Sequence, residues 1–174
     1  MNTNPNLEQP IEEYREILGQ QEKSLAPPLK KEHGLICRQL PFDDDTAALY
    51  IAKPHWTNRF DLQRETTIGI FCAIWVSADL LKQQQFAYNI HSIKLRQLPG
   101  YKLTSRKFAN DFRTTVKATV ANWPNIRLDY GPLTLLEGRC ESTLDTFSES
   151  VSERVNGFTT IHHEIDRLLD DGKV

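Results

Sequence analysis

The chain has 174 residues, 39% of them hydrophobic and 25% charged, a balance that supplies one ordinary globular core and needs neither a metal nor a disulfide to close it. A formal net charge of -2 argues against a general nucleic-acid coat protein, which must neutralise many phosphates at once. Cys37, Cys72 and Cys140 are odd in number, far apart and set in apolar stretches, so they read as reduced core residues rather than as a disulfide framework or a zinc site.

The sequence opens Met1-Asn2-Thr3-Asn4-Pro5, without the basic start and apolar run of a secretory signal, and no later apolar stretch approaches the roughly 20 residues of a membrane span. A cytoplasmic protein with no membrane partner is the expectation. Residues 1–10 are polar and carry Pro5 and Pro10, so a flexible tail is expected before a single domain over 11–174. A short N-terminal helix is expected over 11–18, stopped by Gly19, and residues 20–34, with Pro27-Pro28 and Lys30-Lys31, read as a surface connector. Two short strands follow at 35–39 and 47–52, separated by Pro41 and the acidic run Asp43-Asp44-Asp45, which favours a turn between paired strands.

The strongest strand signal is 66–77. Ile68, Ile70, Cys72, Ile74 and Val76 alternate on one face, and Phe71, Ala73 and Trp75 occupy the other, so this strand belongs in the middle of the sheet with cover on both sides. Ser77 is placed to cap a single helical turn through Leu81. A second long strand over 86–98 pairs with the first. Its alternation at Phe86, Tyr88 and Ile90 passes to the opposite parity at Ile93 and Leu95, which points to a bulge near His91-Ser92.

Pro99-Gly100 ends that strand. Thr104 or Ser105 then caps a helix whose Phe108, Phe112, Val116, Val120 and Trp123 recur at steps of four, four, four and three, with Pro124 as its terminator. Strands are expected at 126–130 and 133–140, joined at Gly131-Pro132. Leu144, Phe147, Val151, Val155, Phe158, Ile161, Ile165 and Leu168 then recur near the helical period, in one long helix or two, with Asn156-Gly157 marking a break or kink. The sum is an α+β domain: a mainly antiparallel sheet of five to six strands, two long amphipathic helices packed on it, and the short N-terminal helix.

Polar groups interrupt the apolar sheet at Tyr88, Asn89, His91, Lys94 and Arg96, with Tyr101 and Lys102 in the turn beyond. A histidine that titrates near neutrality, beside Lys and Arg donors, suits a carboxylate or phosphate, although a structural histidine and wet-face cations account for the same residues. Residues 94–117 hold seven basic side chains against one acidic, Asp111, whereas 137–174 hold nine acidic against four basic. Asp145, Glu149 and Glu153 form an acidic stripe, and Arg106, Arg113 and Lys117 a basic one. Ordinary solvated faces explain both, and a homodimer or an acidic partner is the functional counterpart. His162 and Asp166 stand one helical turn apart, a spacing for two metal ligands with no third in sight.

Asp129, Glu137 and Arg139 superficially resemble the acid pair and base of metal-dependent nucleases, with arginine where lysine is expected. No P-loop, G-x-G-x-x-G turn or G-x-S-x-G elbow occurs, so no cofactor is assigned and no reaction is named. The expectation is a small binding or interaction domain that takes an anionic small molecule at Tyr88, Asn89, His91, Lys94 and Arg96. Two alternatives stand beside it: a metal-dependent hydrolase using Asp129 and Glu137, and nucleic-acid binding through 94–117, which the overall charge disfavours.

Overall fold

A computed structural model describes residues 9–60 and 66–174. Five strands, β1 (Ile36–Asp43), β2 (Thr46–Ala52), β3 (Gly69–Ser77), β4 (Gln85–Ile93) and β5 (Thr134–Glu141), form one sheet in the order β1-β2-β3-β4-β5. Every neighbouring pair is antiparallel. β3 is central, as two apolar faces require: Ile70, Cys72, Ile74 and Val76 are buried on one side and Phe71 and Ala73 on the other. All three cysteines are buried and unbonded. Burial pushes the Cys37 thiol up to about 12, with Glu22 adding to the rise, and the Cys140 thiol up to about 11 against the opposing charge of Arg154, so both are disfavoured as thiolates.

The N-terminal helix corrects the expectation most. α1 runs over Gln9–His33, so Gln9 and Pro10 belong to helix, Gly19 does not stop it, and residues 20–33 are no connector; residues 1–8 of the expected tail lie outside the described residues. Interior proline costs about 3 kcal/mol, but Pro27 and Pro28 are exposed while Ile11, Tyr14, Leu18 and Leu29 are buried on one stripe. Packing of that stripe on the sheet outweighs the loss. The helix ends at Gly34, whose φ of +67° suits glycine.

Ser77 caps the short α2 (Ala78–Lys82), its Oγ accepting from Leu80 N at 3.2 Å. Thr104 caps α3 (Ser105–Val120), which buries Phe108, Phe112, Val116 and Val120 as its spacing predicts. α4 (Leu144–Asp171) is one uninterrupted helix of 28 residues. Gly157 is a point of close approach and not a break: a Cβ there would meet Trp123 Cζ2 at 3.0 Å, and the same indole packs edge-on against Tyr88 at 5.8 Å and Phe158 at 6.0 Å.

α1 and α4 cover the sheet face that carries Leu49, Ile74, Tyr88 and Leu136; Tyr14 of α1 and Phe86 of β4 both pack edge-on against Phe147 of α4. The opposite face carries Ala48, Tyr50, Phe71, Ala73, Trp75, Asn89, His91 and Glu137 by their register. Two strand expectations change. β4 ends at Ile93 and remains in regular register with β3, while the bulge lies across from it: Ile90 pairs with Leu136 and His91 with Thr134, so the extra residue is Leu135 on β5. Alternation along β4 is unbroken, so the parity change is one of residue type: Ser92 is buried on the helix side and Ile93 lies on the other face. Residues 126–130 form no full strand, contributing a single bridge from Arg127 to Glu137.

Candidate functional site

The face opposite the helices holds a groove of about 420 Å³, within the size range of small-molecule sites. Its floor is small. In one cross-strand row Tyr50, Ala73, Asn89 and Glu137 follow one another across β2 to β5; Trp75 lies two residues from Ala73 toward one end and Phe71 two residues toward the other. Successive strand residues alternate faces, so Phe71, Ala73 and Trp75 share this surface, with the two aromatic side chains as walls around the alanine. Thr67 and Ile93 line the Phe71 end, and Thr46 and Ala48 the Trp75 end.

The β2–β3 connector shapes one side of this surface. Phe60 meets the Tyr50 ring edge-on at 6.0 Å, and Tyr50 Oη donates to Arg59 O at 3.3 Å. Thr57 bridges to Gly69, and Asn58 fixes the return by accepting Ile68 N at 2.7 Å on its Oδ1.

Of the five residues expected to form the site, Asn89 and His91 line the groove. Tyr88 faces the helices, donating from Oη to Pro124 O at 2.6 Å, and burial raises its hydroxyl pKa. Lys94 has a left-handed φ of 52° at the end of β4, and Arg96 is exposed in the 3-10 turn Leu95–Gln97; neither lines the groove. The aromatic walls and Ile93 were missed as site residues, and Glu137, which also lines the groove, was expected only as a partner of Asp129 in the hydrolase alternative. Alternation had marked the second face of β3 as apolar, and that signal was read as core.

His91 Nδ1 lies 3.3 Å from Leu133 O and 3.2 Å from Thr134 Oγ1, and its ring sits 5.3 Å from that of Phe71. A carbonyl accepts, so in this contact Nδ1 carries a proton. Asn89 is 3% exposed, and its Oδ1 finds no hydrogen-bond partner among the described residues. A buried carbonyl oxygen left in that condition costs about 1–3 kcal/mol.

The remaining charged residues fall elsewhere. Both Asp129 oxygens accept from Arg127, from Nε at 3.0 Å and Nη2 at 2.9 Å, and these hydrogen bonds lower the Asp129 pKa. Among the described residues no three His, Cys, Asp or Glu side chains are placed to hold a metal ion. In the basic segment Lys107 pairs with Asp111. Arg113 is turned inward, donating from Nε to Leu135 O at 3.0 Å and from Nη2 to Tyr130 O, Gly131 O and Thr134 O at 2.9, 2.9 and 2.7 Å.

Arg113 therefore holds the loop that carries the His91 acceptors. Arg113→Ala is expected to lower unfolding free energy by about 2–3 kcal/mol, and Arg113→Lys to restore less than half, because one ammonium cannot reproduce the planar fork. Urea denaturation checks both, and a loss below about 0.5 kcal/mol would assign Arg113 to the solvated face.

A second polar cluster joins α4 to the start of the connector. Asp166 Oδ1 accepts from Trp56 Nε1 at 2.7 Å and from His55 Nε2 at 2.9 Å, while Oδ2 takes Lys53 Nζ. Burial alone would raise this carboxyl, but the nearby His162 ring, the hydrogen bonds from Lys53 and Trp56 and the Lys53 charge outweigh it and hold it well below the usual carboxylate range. His162 Nδ1 is 3.9 Å from Oδ2, too far for a hydrogen bond, and its Nε2 lies 3.2 Å from His33 Nδ1. The spacing read as a metal pair thus belongs to an anchor made with Lys53 and Trp56.

Among the described residues no helix is long and apolar enough to cross a membrane. No protein family, curated protein or solved structure matches the chain.

Proposed function

We propose that this chain is a small-molecule-binding domain whose site is the groove between Phe71 and Trp75. The observation that carries the reading is the combination on one sheet face of aromatic walls, an alanine floor and the convergent polar groups of Asn89, His91 and Glu137. Apolar lining with a few placed polar groups is the usual constitution of ligand sites. A face meant only for solvent would alternate to charge, and one meant only for core would not bury an amide oxygen without a partner.

The test fills the floor. N-phenyl-1-naphthylamine, a neutral dye that brightens in apolar sites, is expected to bind the wild-type protein saturably, and Ala73→Phe to weaken that binding at least about tenfold. Ala73 is 6% exposed, so Ala73→Leu is measured beside it as the milder plug, with circular dichroism verifying the fold of both. Undiminished dye binding in a folded, plugged variant would place the site elsewhere.

A further inference from the structure

We infer that the groove selects a positively charged nitrogen ligand, of the aromatic amidine or amine class, and not the anion that the nearby Lys94 and Arg96 suggest. The inference rests on the groove being the binding site, as proposed above, and adds the sign and chemistry of what enters it. Its first support is Asn89: a side chain 3% exposed, lining the groove, whose Oδ1 takes no hydrogen bond from any described residue. Such an oxygen asks for a donor.

The second support is the sign of the surroundings. Glu137 stands directly across from Asn89 on β5 and lines the same groove, whereas no lysine or arginine among the described residues does. An amidinium offers N–H donors to both the amide oxygen and the carboxylate, two acceptors side by side in one row. A carboxylate ligand would bring a third acceptor against them. The aromatic lining agrees: Phe71 is stacked on Tyr50 at 4.9 Å and nearly buried, while Trp75 is half-buried, and the negative face of an indole attracts a cation. These two residues are four apart along β3, about 13 Å of strand, with Ala73 between, which leaves room for a planar ring.

Asn89 also separates a ligand role from a structural one. A buried amide kept for the fold loses stability when replaced by an apolar residue of similar size, whereas an amide oxygen without a protein partner does not. Asn89→Leu is therefore expected to leave Tm unchanged or raised while weakening binding.

The experiment uses three probes with one ring: naphthalene-2-carboxamidine, naphthalene-2-carboxamide and naphthalene-2-carboxylate, titrated by isothermal calorimetry into the full chain. The amidine is expected to bind about tenfold or more tighter than the amide, and the carboxylate weakest. Glu137→Gln should remove most of the amidine's advantage over the amide, and Asn89→Leu should weaken both by about tenfold with Tm held. Carboxylate binding as tight as the amidine overturns the inference while leaving the groove as the site, as does an amidine-to-amide ratio unaltered in Glu137→Gln. A fall in Tm in Asn89→Leu overturns the ligand role of that residue. Failure of all three probes to bind overturns the inference and the binding site together.

Discussion

Gly69→Ala is expected to lower unfolding free energy by about 4 kcal/mol or more. A Cβ at this position would lie 2.0 Å from Trp56 O and 2.5 Å from Thr57 Cα. Both are backbone atoms of the connector, so no rotamer change clears the overlap. The φ of +130° adds strain that side-chain-bearing residues do not tolerate. Gly69 opens β3, pairs with Ile93 on β4 and bridges to Thr57, so its displacement moves the strand start that precedes Phe71. Gly131 is the control: nothing lies within 4 Å of a Cβ built there, and Gly131→Ala should stay within about 0.5 kcal/mol of wild type. Urea unfolding followed by tryptophan fluorescence measures both, and equal stability of the two variants would show that the connector yields where the close packing says it cannot.

The fold was legible wherever one period dominated. Ile70 to Val76 alternate so cleanly that the central place of β3 followed from the residues, and Phe108 to Val120 recur at the helical step that α3 uses. Legibility failed where local chemistry opposed tertiary packing. Pro27-Pro28 and Gly19 argue for a break in isolation, yet Leu18 and Leu29 lie on one buried stripe, and burial of that stripe decides the matter. Gly157 signals a kink by propensity alone, because nothing in the sequence reveals the Trp123 ring that occupies the missing Cβ.

The site was half legible for a related reason. Polar interruption of an apolar strand brought out Asn89 and His91, but the same rule gathered Tyr88 and Lys94, which alternation and the end of β4 turn elsewhere. Phe71 and Trp75 carried no signal of their own. An aromatic on the second face of a central strand looks the same whether a helix covers it or a groove opens over it. The change of residue type at Ser92 and Ile93 was the one visible trace, since an isoleucine on the face of His91 is out of place unless that face is also apolar.

Asp166→Ala should cost about 2–3 kcal/mol, and its pH dependence should show that the carboxylate charge is responsible. The side chain is 26% exposed, which screens part of the Lys53 interaction and puts the expectation below that of a fully buried pair. Removing it leaves Trp56 Nε1, on a side chain 0% exposed, and the Lys53 ammonium, 13% exposed, without their acceptor. Asp166→Asn keeps an acceptor for the indole but sets an N–H against Lys53 or His55, so an intermediate loss of about 1–2 kcal/mol is expected.

The folded carboxyl is held below its usual range, so its stabilisation is complete above the unfolded value, near pH 4, and is lost as pH falls toward the folded one. The gap in stability between wild type and Asp166→Asn should therefore be flat from about pH 5 to 8 and close progressively below about pH 4. Comparing the two proteins at each pH cancels the groups they share away from residue 166. Because Trp56 N–H donates to Lys53 O at 3.0 Å within the anchored turn, and the connector beyond reaches Tyr50 and Gly69, amide exchange at Trp56 should accelerate in Asp166→Ala before the sheet amides do. A gap that does not narrow at all between pH 5 and pH 3, or an unaltered exchange rate at Trp56, would mean that packing alone holds this turn and that the anchoring role belongs to the indole ring and not to its hydrogen bond.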